Sequence, residues 1–141
     1  MMVLVATSRW SLALRRRSRS LSAEEELVRD ELAELIREGC AQMIGPVRQE
    51  VLSGIRSRSQ YKRLRQGLRA FEDPRLGVKD YEEAALVSNH CRAAGASGSA
   101  VDFLICSVAL HRNWTVFTID RDFVRYARHL PLRLHHPQPK A

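Results

Sequence analysis

The sequence predicts an α/β fold, a mainly parallel and doubly wound sheet with helices on both faces. Three observations predict it. Short apolar runs at residues 2–6, 41–44 and 115–119 alternate with longer segments whose apolar residues recur at helical spacing. The run Thr115-Val116-Phe117-Thr118-Ile119 is β-branched and aromatic, short and apolar enough for a parallel strand covered on both faces. Finally, Asp102 falls where a helix opens and Asp120 where a strand closes, two places that lie at the same ligand-binding edge of such a sheet.

Taken in order, Met2-Val3-Leu4-Val5-Ala6 reads as a first, central strand ending at Thr7-Ser8. The first 23 residues hold no acid but carry Arg9, Arg15, Arg16, Arg17, Arg19 and several serines, the composition of an organellar presequence. A core strand explains Val3, Leu4 and Val5 better. Trp10, Leu12 and Leu14 begin a helical or turn segment, and residues 15–20 form a polar connection. Ser22 and Glu25 have N-cap spacing, and Leu27, Leu32, Leu35 and Ile36 carry a helix to a C-cap at Gly39. After a second strand at 41–44, Pro46 sits at the first position of a helix with the stripe Val47, Val51, Leu52 and Ile55. Glu50 lies beside that stripe.

Residues 57–70 are strongly basic, yet Tyr61, Leu64, Leu68 and Phe71 keep an apolar face, so a surface helix is expected. Asp73-Pro74 breaks it, and Leu76-Gly77-Val78 reads as a third strand. Tyr81, Ala84, Ala85, Ser88, Cys91 and Arg92 mark a further helix ending at Gly95. Ser99 caps the next one, whose apolar face is Val101, Leu104, Ile105, Val108 and Ala109, and which His111-Arg112-Asn113 closes. Phe123, Tyr126 and Ala127 make a short helix. Leu130-Pro131-Leu132-Arg133-Leu134 is an edge strand, where proline is tolerated. One domain, residues 1–135, with a loose tail at 136–141, accounts for the chain.

A chain of 141 residues with 45% hydrophobic and 28% charged residues is long enough for a core and is not disordered by composition. A net charge of +7 and a pI near 10.0 favour a polyanionic partner, nucleic acid first. No apolar run approaches the roughly 18 residues of a membrane span, so no membrane partner and a cytoplasmic location are expected. Cys40, Cys91 and Cys106 are odd in number and widely spaced in apolar helical patterns, like reduced core thiols. Ala6-Thr7-Ser8-Arg9 lacks a glycine-rich phosphate loop, which argues against a nucleotide cofactor. The histidines show no metal-site spacing and are assigned no chemistry.

The candidate chemistry lies in Glu50, Asp102, Asp120 and Asp122. Singly, each has a plain structural role: a solvated residue, a helix-dipole acid, or a turn and N-cap residue. Jointly, the fold places three or four carboxylates in one cleft, where they repel and raise one another's pKa. A hard divalent cation, Mg2+ or Mn2+, resolves that repulsion and suits phosphodiester hydrolysis.

At these residues the chain resembles the PIN-domain ribonucleases, and among them the VapC toxins of bacterial type II toxin–antitoxin pairs. Val3-Leu4-Val5-Ala6-Thr7-Ser8-Arg9-Trp10 is similar to the family's opening strand V-D-T-S-x-W. Arg48-Gln49-Glu50-Val51-Leu52-Ser53-Gly54 is similar to its E-L-L-x-G helix, Val101-Asp102-Phe103-Leu104-Ile105 to its D-x-L-I-A helix start, and Thr118-Ile119-Asp120-Arg121-Asp122-Phe123 to its T-x-D-x-D-F signature. The resemblance implies a three-layer α/β/α sandwich, Mg2+-dependent endoribonuclease activity, a homodimer and a small antitoxin partner. It further implies that Asp102, Asp120 and Glu50 hold the metal and that Asp122 is a further ligand or orients the attacking water.

One departure bears on all of this. The family's first metal-binding Asp corresponds here to Ala6, so one ligand position is vacant; Arg9 is a lesser oddity. A toxin inactivated deliberately, a naturally degenerate copy and an altered metal arrangement all fit the sequence. Arg56, Arg58, Lys62 and Arg65, with Arg15 to Arg19 beside them as candidates, are expected to contact an RNA backbone. The alternative is a silent module that binds antitoxin or RNA without cleavage. A phosphoacceptor signalling domain is disfavoured, because it needs paired acids where Ala6-Thr7-Ser8 stands.

Overall fold

A computed structural model of the chain describes residues 2–10 and 21–137. The segment at residues 11–20, with its arginines, and the end of the tail at 138–141 lie outside the described residues.

Strand β1 (Val3–Val5) is central, with β2 (Ala41–Gln42) on one side and β3 (Thr115–Phe117) on the other, all parallel. Val3 pairs with Ala41 and with Thr115, Leu4 with Gln42 and Val116, and Val5 with Phe117. Successive strand residues point to opposite faces, and every residue of β1 and β3 is buried, so both faces of the sheet are covered. That is the expected three-layer α/β/α arrangement. The order β2-β1-β3 reverses direction at β1, and the crevice of a doubly wound sheet lies beyond such a reversal, at the carboxyl ends of the strands.

Helix α1 (Ala23–Arg37) begins at a full capping box. The Glu25 N–H donates to Ser22 Oγ at 3.1 Å, and the Ser22 N–H donates to Glu25 Oε1 at 3.2 Å. Gly39, at φ +73°, turns the chain into β2. Helix α2 (Gly45–Leu52) carries its proline in the first turn and buries Val47 and Val51. Helix α3 (Arg58–Leu68) is the basic surface helix and buries only Leu68 fully. Arg48 fixes its far end: Nε and Nη2 bind both oxygens of Asp73 at 2.9 and 2.8 Å, and Nη1 and Nη2 donate to the carbonyls of Leu68 and Phe71, both at 2.8 Å.

Helices α4 (Val78–Ala93) and α5 (Ala100–Arg112) pack along one another, and α5 leads into β3 through Asn113 in the left-handed conformation. Helix α6 (Asp122–Ala127) follows β3. Cys91 and Cys106 are buried free thiols, and Cys40 is a half-buried one. No helix among the described residues is long and apolar enough to cross a membrane.

Two expected strands change. Residues 76–78 are not a strand, because Gly77 is the N-cap of α4: its N–H donates to Asp80 Oδ2 at 2.8 Å, and Val78 is 77% exposed with no neighbouring strand to pair with. The edge strand near 130–134 shrinks to one parallel bridge, Val116 with Leu134, closed by Val116 N–H to the Arg133 carbonyl at 2.9 Å and His135 N–H to the Val116 carbonyl at 2.7 Å. Pro131 has no N–H with which to extend it. Strands two and three also end early, at Gln42 and Phe117.

Candidate active site

The carboxyl ends of β1 and β3 are stitched together by short polar side chains. The Ala6 N–H donates to the Phe117 carbonyl at 2.9 Å, and the Ser8 hydroxyl lies 3.4 Å from that of Thr118 and accepts from the Ile119 N–H at 3.4 Å. Thr118 Oγ1 in turn accepts the Asp120 N–H at 3.0 Å, and Asp120 Oδ1 accepts the Asp122 N–H at 2.9 Å. These turn contacts hold Asp120 in the loop that follows β3 and Asp122 at the start of α6. A third arrives from α5, whose first turn places Asp102 one step above its Ser99 cap; the Asp102 N–H donates to Ser99 Oγ at 3.1 Å.

Asp102, Asp120 and Asp122 thus converge, each offering a carboxylate oxygen within 4.8 Å of the other two. Burial holds the Asp102 carboxyl above its ordinary range, the hydrogen bonds from Tyr126 and Ser99 oppose that rise, and the charges of Asp120 and Asp122 add to it. A three-carboxylate, all-oxygen donor set fits a hard divalent cation that keeps several of its waters.

Two neighbours that the sequence reading assigned no part in the site complete the arrangement. Tyr126 donates its hydroxyl to Asp102 Oδ2 at 3.0 Å, and Arg125 Nη2 donates to Asp122 Oδ1 at 3.0 Å. Helical spacing was the available signal, because residues three and four beyond Asp122 share its face of α6. Burial beside Asp102 also pushes the Tyr126 phenol well above its ordinary value.

Glu50 is not part of that aspartate group. It is exposed on α2, and its Oε1 accepts the Thr7 hydroxyl at 2.7 Å, which ties it to the residue after Ala6. Among the described residues the carboxylates grouped within 4.8 Å of one another are Asp102, Asp120 and Asp122, three of the four acids the sequence brought to this edge. Ala6 is 3% exposed, at the carboxyl end of β1. Arg9 folds inward and lies 4.4 Å over the Phe117 ring, its Nε and Nη1 without hydrogen-bond partners among the described residues.

The expected RNA contacts gather elsewhere on the surface. Arg56, Arg58, Lys62 and Arg65 line a shallow cavity of about 320 Å³ with Ile55 and Tyr61. All four are exposed, and none forms an ion pair among the described residues. Arg65 lies 5.9 Å over the Tyr61 ring.

Comparison with known proteins bears on this site. The sequence pattern of the PIN domain matches residues 3–129. No curated protein matches by sequence. Among solved structures the fold is similar to that of FitAcB from Neisseria gonorrhoeae, at 19% identity and a TM-score of 0.73, over 96% of this chain and 98% of that one. It is also similar to VapBC2 from Rickettsia felis bound to a DNA fragment from their promoter, at 17% identity and a TM-score of 0.71, with the same coverage of 96% and 98%.

Proposed function

Because the chain belongs to the PIN domain family, whose members are typically nucleases, we propose that it is the toxin component of a type II toxin–antitoxin pair. Its activity is metal-dependent endonucleolytic cleavage of single-stranded RNA, impaired in the chain as written by Ala6. The observation that carries this reading is the convergence of Asp102, Asp120 and Asp122 at the carboxyl edge of a parallel sheet, beside the strand end where Ala6 replaces an expected acid.

Mg2+, or Mn2+ in its place, supplies Lewis-acid stabilisation of charge on the scissile phosphate when bound. Asp102 and Asp120 would hold the cation directly. Asp122, its Oδ1 engaged by Arg125, and Glu50, on the Thr7 side of the same edge, would be further ligands or orient the attacking water. Arg56, Arg58, Lys62 and Arg65, exposed and without an ion pair among the described residues, attract the RNA backbone. An antitoxin partner rests on the resemblance to VapC toxins and on the likeness to VapBC2; a homodimer rests on the resemblance alone, and a cytoplasmic site of action accompanies both.

The methyl of Ala6 favours a second reading, a silent PIN module that binds antitoxin or RNA without cutting. The Ala6→Asp variant separates the two. It places a carboxylate in a nearly enclosed position at the end of β1, on the same sheet edge as the three others, so it is expected to lose stability in EDTA and recover it in Mg2+. It is also expected to gain Mg2+-dependent cleavage of single-stranded RNA. A folded variant that binds Mg2+ and cuts no RNA assigns the chain to the silent module.

A further inference from the structure

The Asp102 side chain is held by a device that spans two separate elements. Tyr126 on α6 is 0% exposed, and its ring lies 4.9 Å from that of Phe103 and 5.3 Å from that of Phe123, so it has no freedom to swing. Its hydroxyl reaches Asp102 Oδ2 at 3.0 Å and so restrains one oxygen of that carboxylate. The hydroxyl reaches this point only because residue 98 has no side chain. A Cβ on Gly98 would lie 2.0 Å from the tyrosine oxygen and 2.8 Å from Cζ. Gly98 is not among the glycines at positive φ, so its backbone does not itself call for glycine; the tyrosine does. The same turn is gripped once more next door, where Arg125 Nη2 donates to the Ser97 carbonyl at 3.3 Å as well as to Asp122. Arg125 thus bonds Ser97 and Asp122, while its neighbour Tyr126 packs against Gly98 and bonds Asp102.

We propose that Tyr126, seated on Gly98, is a positioning residue that fixes the Asp102 carboxylate for divalent-cation binding. This rests on the reading of Asp102, Asp120 and Asp122 as a cation site. A carboxylate on a half-exposed first turn has free rotation about its side-chain bonds, and it must surrender that freedom when it ligates a metal. A buried phenol that already restrains it lowers this cost, as hydrogen-bond partners of metal ligands generally do. With Ala6 contributing no ligand, the affinity left to the site depends more heavily on how well the remaining carboxylates are aimed.

The experiment is a Mn2+ titration by electron paramagnetic resonance, with thermal melts in EDTA alongside. It uses the full chain, Tyr126→Phe and Gly98→Ala, each with Ala6 and in the Ala6→Asp background. Tyr126→Phe keeps the ring and its packing, so its melt in EDTA is expected to stay near that of the parent. Its Mn2+ dissociation constant is expected to rise about tenfold, the lower end of what such partners contribute. Gly98→Ala, which displaces the hydroxyl without removing it, is expected to weaken Mn2+ in the same direction. An unchanged Mn2+ affinity in folded Tyr126→Phe overturns the positioning role while leaving the cation site standing. A lower melting temperature in EDTA with unchanged affinity does so too, since it marks a role in packing alone. Absence of Mn2+ binding in both the parent and its Ala6→Asp form overturns the cation site, and the positioning role with it.

Discussion

Asp102→Asn tests whether the three aspartates are grouped for a ligand or for the fold. The oxygens of the group approach within 4.8 Å, where two full charges repel by about 1 kcal/mol in bulk water and about 3.5 kcal/mol at an effective dielectric near 20. Asp120 is exposed and Arg125 offsets part of the Asp122 charge, so the lower half of that range applies. Against it stands the favourable position of Asp102 in the first turn of α5, worth about 0.3–1 kcal/mol. Asparagine keeps an acceptor for Tyr126 and loses both repulsions. The net expectation is a gain of about 1–2 kcal/mol in EDTA at pH 7, combining these terms. For a chain of 141 residues that is a rise of about 3–7 °C in Tm. The pH dependence has a definite sign. Burial and the neighbouring acids raise the folded-state pKa of Asp102, so its ionised form opposes folding and protonation removes the opposition. The advantage of the variant therefore fades as pH falls from the raised value toward the ordinary carboxylate range. Mn2+ at ten times its dissociation constant adds about 1.4 kcal/mol to the parent and is expected to add little to the variant. Differential scanning fluorimetry in EDTA and in Mn2+, from pH 3.5 to 8, reads all of this. A variant less stable than the parent in EDTA at pH 7 refutes the reasoning.

Other expectations follow from contacts already described. Arg48→Lys loses the fork that binds Asp73 and two carbonyls, and is expected to cost about 2–3 kcal/mol in urea unfolding, because one ammonium cannot replace four directed bonds; a loss below the error of the measurement counts against the anchoring of α3. The triple change of Arg58, Lys62 and Arg65 to Ala is expected to lower the salt slope of single-stranded RNA binding by about 2, at about 0.7 per phosphate contact. The stability of that exposed face is expected to change by no more than about 0.5 kcal/mol per site, and unchanged RNA affinity assigns the charge to solubility. Arg9 is 8% exposed with two unpartnered donors among the described residues, and burial pulls its pKa down to about 10. Arg9→Met is expected to raise stability by about 1 kcal/mol, since unmet donors cost about 1–3 kcal/mol and the ring contact returns somewhat less. A lower Tm for this variant places a stabilising role on the guanidinium.

Local chemistry made much of the molecule legible in the sequence. Ser22 with Glu25 and Ser99 with Asp102 mark helix starts, because a side chain three residues away is the nearest partner for an orphan N–H. The burial of β1 and β3 follows from unbroken apolar runs, and their parallel pairing from the helices between them. The convergence of Asp102 with Asp120 and Asp122 was readable for the same reason, since strand ends and helix starts share one edge in this class of fold.

Tertiary structure decided the rest, wherever a residue's state depends on a partner distant in the chain. Leu76-Gly77-Val78 has strand-like residues, but a strand needs an open edge, and here Asp80 captures the Gly77 N–H for a helix instead. Glu50 lies at the expected edge, yet Thr7 holds it, so the three aspartates group without it. Tyr126 reads in the sequence as one more apolar position of a short helix. Only folding brings its hydroxyl to Asp102 and Gly98 beneath its ring, because periodicity reports which face is buried and not which atom it is buried against.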